Sequence, residues 1–369
     1  MLFGAAACLA TIGYTYVGYP ALIGALARLA PMKLAEDPSW TPTVTACIPI
    51  FNAASYLRAK IASLQALDYP KDKLQILLYS DGATDDTNDV ARELAAAEPR
   101  IQLIVAAERK GKPEGVNRML EVATGEVLLM TDVRQRVAPG ALRALVSKLA
   151  DPKVACVSGN LVLEGATGAG AYWTYENWIR RQEGKFRGMV GVTGPLYVIR
   201  RADMANLPGG LILDDMWVPM RHVLADRAIV FAEDAECFDD AFGDEREYGR
   251  KVRTLAGNYQ LFALLPGLLD PTKNPVWLEV MSHKILRLAC PWALGGLAAY
   301  SVAGALEGPR PLRPLFAILA GGQGVFYLAA LAGPRAGKVG TLARTFVVLN
   351  SAAVNGLFRW AAGTQKVTW

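Results

Sequence analysis

Along the chain the apolar and polar positions fall into three regimes. Residues 1–27 carry no charge, a run long enough to cross a hydrocarbon core, which takes about 20 residues. Arg28 and Lys33 follow at once, and no basic stretch comes before. Basic residues mark the cytoplasmic flank, so the pattern predicts an uncleaved span with its amino terminus outside. At the other end, residues 285–306 and 312–332 are again apolar, separated by Glu307, Pro309, Arg310 and Arg313, and 345–358 is a weaker third stretch. Arg335, Lys338 and Arg344 suit a cytoplasmic loop between the last two. Three or four spans are expected. Arg287 is expected to snorkel to the interface, with Arg344 and Arg359 flanking the weak stretch, which could instead lie in the membrane surface.

From residue 43 to about 242 short apolar runs alternate with helix-period segments. Strands are expected at 44–50, 74–79, 101–105, 126–130 and 154–163, and helices beginning near Ala54, Asp85, Pro113 and Pro139. That βαβ series predicts an α/β domain, a mostly parallel sheet flanked by helices. The domain plan is a transmembrane helix over 1–30, the α/β domain over 40–259, an amphipathic interface segment over 260–284 and a transmembrane region of two or three helices over 285–369. Two strands run into carboxylates, Gln75-Ile-Leu-Leu-Tyr-Ser-Asp81 and Glu126-Val-Leu-Leu-Met-Thr-Asp132. Parallel strands present their carboxyl ends to one crevice, so both acids are expected to face the same ligand. A nicotinamide-binding domain is the rival for such a series, but the turn after the first strand, Pro49-Ile-Phe-Asn52, holds no G-x-G-x-x-G. The glycine-rich run 165–170 comes late in the series and reads as a flexible loop.

Composition agrees with a soluble-type domain joined to membrane segments: 52% of the residues are hydrophobic and 20% charged. The net charge of +5 is modest and dispersed, which does not point to nucleic acid. Cys8, Cys47, Cys156, Cys237 and Cys290 are widely spaced and form neither a zinc pattern nor a disulfide framework, in keeping with a reducing compartment. With only His222 and His283, a histidine-based hydrolase triad is excluded.

The motifs Ile48-Pro-Ile-Phe-Asn52, Ser80-Asp-Gly-Ala-Thr-Asp85, Gly111-Lys-Pro-Glu-Gly-Val-Asn117, Gly125-Glu-Val-Leu-Leu-Met-Thr-Asp132, Gly194-Pro-Leu-Tyr-Val-Ile-Arg200 and Leu213-Asp-Asp-Met216 occur in this order. Together they resemble the family 2 glycosyltransferases of the GT-A fold. The flanking spans make the chain similar to membrane-bound polysaccharide synthases of the cellulose, hyaluronan and poly-N-acetylglucosamine type. The resemblance implies an inverting transferase moving a sugar from a UDP-sugar to a saccharide or lipid-linked acceptor. It implies a multi-pass protein of the inner (plasma) membrane, with its catalytic domain in the cytoplasm and in contact with membrane lipid. A non-processive transferase acting on a polyprenyl phosphate or other lipid is the alternative within the class. A catalytically inactive membrane scaffold is the alternative outside it.

By the same resemblance Asn52, Asp81, Lys112, Asn117 and Arg253 are expected around the nucleotide sugar, Arg253 clamping the diphosphate with its guanidinium fork. Asp85 reads equally as a helix cap. Asp215 is expected to be the base, with Asp214 supporting it. Asp132 is expected to hold Mg²⁺ or Mn²⁺ at the diphosphate. Arg134 stands where the family's second metal-binding acid would be, so either Asp132 holds the ion with phosphate and water, or Arg134 takes over part of the neutralisation. Arg250 and Thr254 replace the Gln and Trp of the family's Gln-x-x-Arg-Trp region, which removes its stacking platform. In the aromatic run 172–181, Trp173, Tyr175 and Trp178 are candidate acceptor contacts, with a plain packing helix as the other reading.

Overall fold

The computed structural model describes residues 1–164, 168–240 and 244–366, so part of the glycine-rich run 165–170 lies outside the described residues. Helices α1 (Leu2–Gly13) and α2 (Tyr19–Leu29) are joined by a π-helical turn, Tyr14–Gly18, so the uncharged amino-terminal run folds as one rod.

The α/β domain follows in the order β1 (Val44–Ile50), α3 (Ala54–Gln65), β2 (Leu74–Asp81), α4 (Thr87–Ala97), β3 (Ile101–Ala106), α5 (Lys112–Val122), β4 (Val127–Thr131), β5 (Arg136–Val137), α6 (Ala141–Leu149), β6 (Val154–Glu164), α7 (Gly168–Phe186), β7 (Leu196–Arg200), α8 (Asp214–Val223), β8 (Ala228–Asp240) and α9 (Asp244–Leu264). The strands form one eight-stranded sheet in the order β3-β2-β1-β4-β7-β6-β8-β5. Strands β3, β2, β1 and β4 are parallel, as the βαβ series predicts. Strand β7 then enters antiparallel between β4 and β6, and β5 pairs antiparallel with β8, so the second half of the sheet is mixed.

All seven residues of β1 are buried, which is the signature of a strand covered on both faces. Its alternate side chains serve two layers. Val44, Ala46, Ile48 and Ile50 pack with Leu57, Ile61 and Leu64 of α3, whereas Cys47 joins Leu77, Leu128 and the α5 residues Val116 and Met119 on the other face. The parallel half of the sheet is thereby fixed with its carboxyl ends on one side, where β2 ends at Asp81 and β4 runs out towards Asp132.

After α9, the segment expected to be an amphipathic interface holds a 3-10 turn, Pro266–Leu269, whose Leu268 is fully buried. A helix then begins at Trp277 and continues through α10 (Trp277–Glu279), a π-helical turn (Val280–Ile285) and α11 (Leu286–Glu307), so the boundary expected at residue 285 falls inside a continuous helix. Helices α12 (Arg313–Ala332) and α13 (Gly337–Ala361) complete the chain and pack on each other. Among the described residues three helical stretches are long and apolar enough to cross a membrane: Leu2–Leu29, Trp277–Glu307 and Arg310–Ala361. The two ends of the chain meet, α1 lying against α11, while α7 packs on α2 and α9 on α13.

Candidate active site

Asp132, just past β4, and the pair Asp214–Asp215, opening α8, come together around one ammonium group. Lys112 Nζ, from the first turn of α5, is 3.3 Å from Asp132 Oδ1 and 3.2 Å from Asp214 Oδ2. Burial works against the Lys112 charge, but Asp132, Asp214 and Asp215 together hold its pKa above the ordinary lysine value. Asp132 answers in kind: burial opposes its charge, yet Lys112, Lys60 and Arg250 keep its carboxyl below the usual range.

Asp215 differs from both. Burial and the neighbouring Asp214 carboxylate push it up to about 6, against the pull of Lys112 and Arg253. Its backbone carbonyl accepts the Val192 N–H at 3.0 Å, and its side chain lines a cavity of about 290 Å³. A carboxylate ionised near neutral pH yet still basic enough to take a proton is what a general base requires. Gly194 packs directly against it, since a Cβ on Gly194 would sit 2.8 Å from Asp215 Oδ2.

The nucleotide-side expectations divide. Asp81 is fully buried, and its two oxygens accept the backbone N–H groups of Lys110 and Gly111 at 2.7 and 2.8 Å. It thereby shapes the turn that launches Lys112. Gly82 follows it at φ +64, where a Cβ would meet the Arg109 backbone nitrogen at 2.6 Å, so strand and turn pass too closely for any side chain. Asn117 is also committed to the fold: Nδ2 donates to Leu207 O at 3.0 Å and Oδ1 accepts Leu207 N–H at 2.7 Å, tying α5 to the chain before α8. Both residues were expected at the ligand. Each satisfies buried backbone groups which would otherwise be costly. Asp85 accepts the Thr87 N–H and hydroxyl in an Asx turn ahead of α4, whose N-cap position is Asp86, so it is not the cap itself. Asn52 is exposed, takes up a positive φ of 45 and accepts the Thr84 N–H at 2.9 Å. Arg253 donates to Ile212 O at 3.0 Å, immediately before the acid pair.

The acceptor-side expectations divide as well. Trp173 lines the cavity beside Asp215, fixed by Nε1 donating to Leu161 O at 2.6 Å and by Arg180 stacked 5.2 Å from its ring. Tyr175 and Trp178 turn instead to the amino-terminal rod: Tyr175 donates to Tyr16 O at 2.8 Å, and Trp178 lies against Gly24. They anchor α7 to the rod. Arg287 does not snorkel outwards; it pairs with Glu176 inside and donates to Tyr172 Oη at 3.1 Å.

Sequence reasoning missed Lys60 and Asp239. Lys60 is 1% exposed and donates to Thr131 Oγ1 at 2.6 Å and Gln135 O at 2.8 Å, with burial pushing it down to about 8. It buttresses the Asp132 turn from behind. Its signal was its place on the apolar stripe Leu57-Lys60-Ile61-Leu64 of α3. Asp239, on β8, pairs with Arg134 and accepts from Gln135 Nε2 at 2.7 Å.

Among the described residues no group of three or more His, Cys, Asp or Glu is arranged to hold a metal ion by itself. Asp132 nevertheless suits a hard divalent ion. It and Asp214 already grip the Lys112 ammonium, so hard oxygen donors lie side by side at a place that accommodates a cation.

The chain is similar to known proteins. Residues 45–204 match the family model described as Glycosyl transferase family 2. The structure superimposes on the mannosyltransferase PcManGT from Pyrobaculum calidifontis, solved in complex with GDP-Man and Mn²⁺, with a TM-score of 0.76, 26% identity and coverage of 97% of this chain and 99% of that one. Glycosyltransferase AglE of Haloferax volcanii is 26% identical over 53% of this chain and 66% of its own length. The UDP-forming cellulose synthase catalytic subunit of Pseudomonas fluorescens is 30% identical over 39% of this chain and 18% of its own. The chain thus spans less than two thirds of the length of either of these two relatives.

Proposed function

Residues 45–204 are a family 2 glycosyltransferase domain in a GT-A fold, and from that premise we propose that the chain is a multi-pass, membrane-integrated, inverting glycosyltransferase whose catalytic domain lies in the cytoplasm. The observation that carries this reading is the convergence of Asp132 and Asp214 on the Lys112 ammonium with Asp215 beside them in the lining of the cavity. The donor is a nucleoside diphosphate sugar, with uridine as the expected base, and the acceptor is a saccharide or a lipid-linked group.

In the reaction an acceptor hydroxyl enters the cavity and gives its proton to an Asp215 oxygen. The acceptor oxygen bonds to the anomeric carbon from the face opposite the diphosphate, and the bond from that carbon to the diphosphate oxygen breaks, its electron pair leaving with the nucleotide. Lys112 and Arg253 stabilise the charge gathered on the departing diphosphate. A divalent ion bound by Asp132 would supply further charge neutralisation there. Gln135 and Lys60 hold the Asp132 turn in place, and Trp173 offers its ring to an acceptor sugar.

The test is a panel of nucleotide sugars given to the purified full chain in liposomes, with released nucleotide measured with and without chelator. Release from one or a few donors, lost in Asp215→Asn, supports the reading. No release from any donor, with or without added Mg²⁺ or Mn²⁺, overturns it.

A further inference from the structure

The donor side and the acceptor side of the site are tied together by one buried hydroxyl. Thr131 is the last residue of β4, lies directly before Asp132 and is 2% exposed. Lys60 Nζ donates to its Oγ1 at 2.6 Å, and Oγ1 donates to Pro195 O at 2.7 Å. A lysine ammonium only donates, so the hydroxyl accepts from it and its own hydrogen goes to Pro195. A charged donor on one side of the hydroxyl strengthens the bond on the other. The same ammonium also holds Gln135 O at 2.8 Å. One cation thus braces the turn after Asp132 and, through Thr131, the chain that enters β7.

That chain, residues 192–195, lies against Asp215. The Val192 N–H donates to Asp215 O at 3.0 Å, and Gly194 leaves no room for a Cβ beside Asp215 Oδ2. The segment is pinned from behind. Thr193 N–H donates to Ser158 Oγ at 2.9 Å, and Arg180 donates to Thr193 Oγ1 at 2.9 Å. Pro195 has no N–H, so its carbonyl is the one backbone hydrogen-bonding group by which it can be held. The antiparallel register sets Thr131 opposite Leu196, one residue past that carbonyl, which is why the hydroxyl reaches it.

We infer that Thr131 is a positioning residue for Asp215, coupling the Lys60-braced turn of Asp132 to the proton-accepting carboxylate through Pro195 and Gly194. The inference rests on Asp215 as the base of the reading above. The Thr131 hydrogen is spent inside the protein, so its effect on the reaction passes through its neighbours. It fixes where the base stands relative to the acid on the donor side.

Thr131→Val keeps the shape of the side chain and removes the hydroxyl. Two measurements on the purified full chain read the result: amide hydrogen exchange over residues 192–195, and steady-state release of nucleotide from a nucleotide sugar. In Thr131→Val the Val192 and Thr193 amides are expected to exchange about tenfold faster. The kcat is expected to fall about tenfold, the worth of one hydrogen bond, with donor KM and the Mn²⁺ concentration at half-maximal rate held within a few-fold. Thr131→Ser should restore both exchange and kcat. In a Gly194→Ala chain, whose carboxylate is already displaced, Thr131→Val should cost less than about threefold more. Melting temperatures report on folding, and Thr131→Cys, which keeps only a weak donor, takes the place of a Thr131→Val chain that does not fold. Native exchange and native kcat in a normally melting variant overturn the inference. So does a loss confined to donor KM or to the Mn²⁺ requirement, which would place Thr131 with Asp132 alone, and so does full additivity with Gly194→Ala. If the native chain turns over no nucleotide sugar, the transferase reading fails, and the exchange measurement still decides whether Thr131 holds the segment against Asp215.

Discussion

The Lys112 ammonium lies 3.3 Å from the Asp132 carboxylate, in the position where a divalent ion would also have to be felt. On the proposed function, lysine and metal would share one set of acids. Lys112→Ala leaves Asp132 and Asp214 without their cation. Because the Asp132 side chain is 40% exposed and that of Asp214 only 8%, the expected loss of stability is about 2 kcal/mol, less than the full cost of a broken buried pair. Mg²⁺ or Mn²⁺ should then raise the melting temperature of Lys112→Ala more than that of the native chain. An equal response in both would separate Lys112 from the metal site.

Chelation is the companion test. Among the described residues no three-acid cluster exists to hold an ion so tightly that a chelator fails to remove it, so excess chelator is expected to suppress transfer and Mn²⁺ or Mg²⁺ to restore it. Undiminished transfer after exhaustive chelation would leave Lys112 and Arg253 as the whole of the diphosphate-stabilising device.

Asp215 is raised to about 6 by burial and by Asp214. A base works when deprotonated, so kcat/KM should climb about tenfold per pH unit below that value and level off above it. Asp215→Asn should lower kcat by about 10³-fold or more and abolish the climb, with donor binding held within a few-fold. A pH profile unchanged in the variant would assign the proton transfer to another group.

Gly194 tests the position of that base without touching its chemistry. A Cβ there would lie 2.8 Å from Asp215 Oδ2, inside normal contact distance, so Gly194→Ala must displace the carboxylate. Because a misplacement on the order of 1 Å costs roughly 10²-fold in rate, kcat should drop by about that factor while donor KM changes little. Native kcat in this variant would mean that Asp215 does not need its observed position.

The parallel half of the sheet was legible because its strands are short apolar runs, two of which, β2 and β4, run into an acid. Residues 44–50 are β1 to the residue, and β2, β3, β4 and β6 differ from expectation by one or two positions at their ends. Strand β8, Ala228–Asp240, went unseen because its sequence, Ala-Ile-Val-Phe-Ala-Glu-Asp-Ala-Glu-Cys-Phe-Asp-Asp, is charged along half its length and its burial alternates irregularly around the bulge opposite Ser158–Asn160. That omission hid Asp239. At the site, the acids were visible as motifs, but whether a polar side chain faces ligand or backbone depends on register between distant segments. Asn117 and Leu207 are 90 residues apart, and no local pattern announces their pairing. Arg287 illustrates the same limit, since its partner Glu176 is on α7, more than a hundred residues away.

Arg134 stands in the altered metal motif. It pairs with Asp239, whose side chain is 4% exposed, and Gln135 donates to the same carboxylate. An arginine committed to a buried acid has less to give a diphosphate, which favours the alternative in which Asp132 keeps the ion. The pair is then a structural exchange: β8 supplies an acid, and the motif supplies the base that matches it. Removing either side alone, in Arg134→Ala or Asp239→Ala, should cost about 3 kcal/mol, because a buried charge loses its partner. The double variant should recover most of that loss, giving a coupling energy well above that of distant sites. Arg134→Asp, which restores the family's second acid, should be less stable than Arg134→Ala because it sets two carboxylates against each other, and Asp239→Lys should rescue it. Chemical denaturation of the full chain in micelles reads all five. Additive single losses, with no rescue by Asp239→Lys, would show that Arg134 and Asp239 act independently.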